Sequence, residues 1–141
     1  MPYSFKDDIA VADVAFEATG ATLDEVFRDC AAAVTATMVK DASVLKPRVA
    51  RKLELKAGTT EQLLHDFLEE LVFVKDAHLL LFGRTEVRVH PDGKSLKAVL
   101  FGEKLDPKRH ELLVDVKAVT WHGFSLAKRA GGWTATGVLD V

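Results

Sequence analysis

The spacing of apolar residues changes along the chain, and each change predicts an element. Ile9 to Thr19 is rich in Ala, Val and Phe and reads as a strand that Gly20 breaks. Thr22-Leu23-Asp24-Glu25 then carries a helix-start signature, in which the hydroxyl accepts from a free amide and the glutamate reaches back. Leu23, Val26, Phe27, Cys30, Val34 and Met38 follow along one helical stripe, which predicts a helix to about Val39. Asp24 and Glu25 suit the positive end of its dipole. Pro47 fits a strand edge, Arg48 to Lys56 reads as the strand, and Gly58 stops it. Thr59 to Gln62 offers a second capping box, and Leu63, Leu64, Phe67, Leu68, Leu71 and Val72 make another one-sided helix.

From Leu79 onward the pattern becomes strand-like. Glu86 to His90 alternates in type, Pro91-Asp92-Gly93-Lys94 is a turn, and Leu96 to Phe101 returns to form a hairpin. Leu112 to Trp121 and Phe124 to Lys128 read as further strands, and Trp133 to Val141 closes the chain after Gly131-Gly132. Gly102, Gly123 and the Gly131-Gly132 pair read as turn glycines. The order predicts a single α+β domain over residues 1–141, a mostly antiparallel β-sheet with two α-helices packed on one side.

Composition adds limits. Apolar residues make up 48% of the 141 and charged residues 28%, enough for a core without a staple. A net charge of -2 argues against a tight grip on nucleic acid phosphates and favours a protein partner, although a local basic face fits within a neutral total. Cys30 is the sole cysteine, so no intrachain disulfide forms and a reducing, cytoplasmic setting is expected. Its alanine-rich surroundings read as a buried, inert thiol. Met1 to Asp8 lacks a signal-peptide stretch, and no window approaches the ~20 apolar residues of a membrane span.

Metal-finger, P-loop, dinucleotide and nucleophile-elbow motifs are absent. His65, in the second helix, and His90, beside the hairpin, are expected to face solvent. His110 and His122 read as hydrogen-bonding structural residues. The alternative makes one of them the base of a metal-dependent hydrolase, but no nucleophile stands beside either in sequence. Asp13 and Asp140 each interrupt an apolar run, where an unpaired carboxylate is costly. With the end of the chain at Val141 they form an oxygen set suited to a hard divalent cation. Equally, they read as solvated carboxylates or as partners of Lys or Arg.

These motifs, taken in order, resemble the archease family over essentially the whole length. The resemblance rests on Asp13, Phe16 and Gly20 followed by Thr22 to Phe27, on Met38-Val39, and on Leu63-Leu64 with Phe67 to Leu71. Leu79 to Phe82, Gly102 to His110, Lys117 to Gly123, and Gly132-Trp133 with Val138 to Val141 complete it. It implies a non-catalytic assistant of the GTP-dependent, RtcB-type RNA-splicing ligase of tRNA maturation, promoting guanylylation and repeated turnover. Contact with RNA would be indirect or weak. It also implies a metal site, with calcium as the expected cation, at Asp13, Asp140 and Val141. One departure stands out. The family's His-Thr-Ala-Asp run is replaced by Asp8-Ile9-Ala10-Val11-Ala12-Asp13, so the histidine's role is lost or falls to Asp7 or Asp8.

Overall fold

Both helices begin where a threonine can accept from an exposed amide. A computed structural model describes residues 3–6 and 13–141. In α1 (Leu23–Met38) the Glu25 amide donates to Thr22 Oγ1 at 3.2 Å, while Glu25 Oε2 accepts from the Ala21 amide at 2.7 Å. The return bond thus lands one residue before the cap. In α2 (Thr60–His78) the Gln62 amide donates to Thr59 Oγ1 at 3.1 Å, but the Gln62 side chain donates forward to Asp66 at 2.7 Å. The second box is therefore only a one-sided cap. α2 ends at Leu79, whose φ of 56° is left-handed and whose amide donates to Lys75 O at 2.8 Å.

The strands form two antiparallel sheets. One holds β1 (Tyr3–Lys6), β2 (Asp13–Gly20), β8 (Gly132–Asp140) and β6 (Ala118–Val119) in the order β1-β2-β8-β6, with β7 (Ser125–Arg129) also paired to β8. The other holds β3 (Val49–Lys56), β5 (Ser95–Lys104) and β4 (Leu80–Val89) in the order β3-β5-β4. The α+β class, the two helices and the antiparallel strands agree with expectation. The division into two sheets was not anticipated, nor was β1. α1 packs on β2 and β8 of one sheet and β4 of the other, and α2 also reaches both. A continuous core of Phe16, Phe27, Phe67, Leu64, Leu100 and Leu139 lies among them.

α1 also protects a sheet edge. On the side of β4 away from β5, the Val89 amide donates to Asp24 Oδ1 at 2.7 Å and Thr35 Oγ1 donates to Phe82 O at 3.0 Å. These bonds engage main-chain groups that would otherwise invite another strand.

Two sequence expectations need correction. The segment from Leu112 to Trp121 is mostly not a strand: beyond Ala118–Val119 it makes one isolated bridge, Val39 to Leu112. Leu113 and Val114 are exposed, and main-chain bonds from this segment go to separate places, with the Leu113 amide on Met38 O and the Lys117 amide on Asp140 O. Apolar composition without a common partner strand misled the pattern. Gly102 is not a turn residue either. It lies inside β5 beside the register shift between Phe82 and Arg84, where a Cβ would stand 1.9 Å from Leu81 O. Gly93, by contrast, takes a φ of 72° in the expected hairpin turn.

Because the obstruction at Gly102 is main chain, Gly102→Ala should destabilise the fold by about 3 kcal/mol, measured by denaturant unfolding, whereas Gly58→Ala, where an added Cβ meets nothing within 4 Å, should cost much less.

Candidate functional site

Asp13 and Asp140 are direct cross-strand partners in the β2–β8 ladder. Paired residues in an antiparallel ladder point to the same face, with Cβ atoms about 4.5–5.5 Å apart. Alternation identifies that face. Val14, Phe16 and Ala18 belong to or pack against the core, as do their neighbours Leu139 and Ala135, so Asp13 and Asp140 project from the opposite side. Both are half-buried. The Lys117 amide donates to Asp140 O at 2.7 Å, which fixes the end of β8, and Val141 follows immediately.

The pair can offer carboxylate oxygens to a hard cation, and Val141 is the residue that follows Asp140. No group of three or more His, Cys, Asp or Glu side chains suited to a metal occurs among the described residues, so other oxygens must complete any coordination shell. Asp7, Asp8 and the Ile9–Ala12 run lie outside the described residues.

The histidines sort differently from their sequence reading. His65 is buried rather than solvent-facing: Nε2 lies 2.7 Å from Val119 O, and the ring stacks on Trp121 with centroids 3.8 Å apart. Phe124 meets the same ring edge-on at 5.1 Å. Spacing alone could not reveal this, because the partners arrive from β6 and the loop after it. His90 is exposed as expected, and His122 is exposed too.

His110 is buried at the centre of a charged network that was not recognised from sequence. Its Nδ1 accepts from the Asp106 amide at 2.9 Å, which places the neutral ring's hydrogen on Nε2. That Nε2 has no hydrogen-bond partner and lies 3.6 Å from Glu103 Oε1. Glu103 is itself only 3% exposed and accepts from the Lys46 amide and from Arg109 Nη1. Arg48 Nε stands 3.7 Å from the same carboxylate. The Lys46 amide, and then Arg109 and His110, hold the Glu103 carboxyl below its ordinary range against the opposing effect of burial. The signal was present in the Gly102–His110 motif, but only the fold brings Lys46 and Arg48 to it. Burial pushes the Cys30 thiol far above its usual range, so that thiol is not a nucleophile.

The fold, two antiparallel sheets with two helices, matches known proteins. Residues 3–141 match the model of the Archease protein family (MTH1598/TM1083). Protein archease of Pyrococcus abyssi is 38% identical over 133 residues, covering 92% of this chain and 93% of that protein. Protein archease of Sulfurisphaera tokodaii is 31% identical over 130 residues, with 92% and 93% covered. The solution structure of Methanobacterium thermoautotrophicum protein 1598 superposes with a TM-score of 0.81 at 31% identity, covering 99% of each chain. The Thermotoga maritima archease, described as a possible chaperone, shares the fold at a TM-score of 0.67 and 17% identity, covering 96% of each. The chain belongs to the archease family. No helix among the described residues is long and apolar enough to cross a membrane.

A carboxylate whose folded pKa is depressed stabilises the fold above its unfolded pKa, and that contribution is lost as pH falls through the folded value. Glu103→Gln should therefore lose most stability relative to the parent near neutrality. The gap should narrow as pH falls below about 4.5, read as unfolding midpoints across a pH series.

Proposed function

We propose that this archease is a protein cofactor of a GTP-dependent RNA-splicing ligase of the RtcB type. It promotes the ligase's guanylylation and repeated turnover through a divalent cation, Ca2+ in the first instance, held by Asp13, Asp140 and Val141. The observation that carries the reading is the cross-strand placement of Asp13 opposite Asp140. Two like charges directly opposite each other destabilise a ladder unless a cation relieves them. The available donors are all oxygens, the chemistry that hard divalent ions prefer.

When bound, the cation supplies positive charge and open coordination positions at the strand ends. Asp13 and Asp140 would hold it on the sheet face turned away from the core, and the Lys117 amide on Asp140 O keeps the second strand end in place. A protein partner would meet this tip as a preorganised charge, consistent with a chain whose net charge is -2. The carboxylates themselves need no proton-transfer role in this account.

A second reading makes the chain a general chaperone or modulator of RNA-processing enzymes, with the metal only structural. The description of the Thermotoga maritima relative as a possible chaperone favours it, together with the exposed Leu112-Leu113-Val114 run. Broad client capture with no effect on ligation would support it, whereas selective recovery of the ligase would count against it.

Two measurements test the leading proposal. Calcium should raise the thermal midpoint of the parent, and a chelator should reverse the rise, while Asp13→Asn and Asp140→Asn respond little. With purified ligase and RNA, Asp13→Ala and Asp140→Ala should abolish stimulation of turnover while the variants remain folded by circular dichroism. Full stimulation by both would reject the mechanism.

A further inference from the structure

A second charged cluster lies on the three-stranded sheet, away from the paired aspartates. Between the chain entering β3 and the loop after β5 is a cavity of about 330 Å3 lined by Arg48, Glu103, Lys104, Leu105, Asp106 and Arg109. Glu103 is its floor. One carboxylate oxygen accepts from the Lys46 amide, and the other receives Arg109 Nη1, with Arg48 Nε at 3.7 Å. From the interior, His110 Nε2 approaches that second oxygen to 3.6 Å. The buried carboxylate is therefore fully engaged.

The arginines are not. A guanidinium carries five N–H donors in a planar fork, so contact with Glu103 uses only part of each. Their side chains remain 66% and 40% exposed. A single buried carboxylate needs one cation for neutrality, and here two guanidiniums converge on it. Lys104 adds a third cation at the cavity wall. Asp106 is the only other carboxylate in the lining, and its Oδ1 accepts from the Lys108 amide at 2.9 Å, closing its own loop. Three cations against two carboxylates leave one positive charge in the cavity, inverted from the chain's net -2. Lys46 and Lys108 flank it in sequence.

We propose that this cavity binds a phosphate group, with Arg48, Arg109 and Lys104 as its donors and Glu103 as the buried group that sets the two guanidiniums side by side. The planar fork matches phosphate oxygens in a way a lone ammonium does not. Glu103 and His110 are positioning residues, because they act through the arginines. The phosphate is either a terminal monoester of a nucleotide or strand, or an internal diester, and the two share the same recognition chemistry.

The full-length, isotopically labelled chain is titrated at low salt with inorganic phosphate, then with a short single-stranded oligonucleotide with and without a 5′-phosphate. Saturable shifts at the resonances of Arg48, Lys104 and Arg109 are expected. Arg48→Ala combined with Lys104→Ala should weaken binding about tenfold or more, since each removes a charge-assisted contact. Arg109→Lys should weaken it while keeping the ion pair to Glu103 and the native spectrum elsewhere. Preference for the phosphorylated strand assigns the monoester, and equal binding of both strands through these residues assigns the diester. Binding should persist in Asp140→Ala, which separates this site from the metal. Absence of saturable shifts at the three residues, or unchanged affinity in the double variant, overturns the proposal.

Discussion

The antiparallel register between β2 and β8 is the constraint from which the rest follows. Side chains alternate faces, so a slip of one residue would turn Phe16, Ala18 and Leu139 away from the core and bury the aspartates. The pairing is locked sterically as well as by hydrophobicity. Gly137 stands opposite Phe16, and a Cβ there would lie 2.7 Å from the Phe16 ring, so the ring occupies space that only glycine leaves. With that pair in place, Asp13 has no freedom but to meet Asp140 three residues further along. The site is thus a by-product of core packing, placed where the ladder runs out.

Charge organises the other half of the molecule. The chain between β5 and β6 has little regular structure, and at each end an ionic anchor built on one buried charge holds it. Glu103 ties its start to Lys46 and Arg109. Near its end, Lys75 of α2, only 3% exposed, donates to Asp115 at 2.6 Å and to Val116 O at 2.8 Å, and also reaches Asp76. Each anchor has one buried member, Glu103 or Lys75, so loss of its exposed partners would leave that charge poorly compensated. The arrangement lets an exposed apolar run, Leu112 to Val114, stay on the surface without being drawn into a strand.

The aromatic cluster links these two regions. His65 of α2 bonds to Val119 O in β6 and stacks on Trp121, so the helix clamps the strand that flanks Asp140. Ala118 pairs with Asp140 on the side opposite Asp13. The aspartate pair is therefore braced through β6 by a helix that also packs on the second sheet.

Local signals carried much of this in the sequence itself. The threonine caps at Thr22 and Thr59, the helical stripes, the Asp-Gly hairpin turn and the breaks at Gly20 and Gly58 act over a few residues, and their chemistry is legible wherever they occur. The odd placement of Asp13 and Asp140 in apolar runs was legible for the same reason, and the ordered motifs pointed to the archease family. What only tertiary structure decided were relations between distant segments: the division of strands into two sheets, the pairing of Asp13 with Asp140, and the burial of His65. The convergence of Lys46, Arg48, Glu103, Arg109 and His110 belongs with them. Such relations depend on which surfaces meet once the core closes, and a residue's own neighbours in sequence exert no force that specifies a partner fifty positions away.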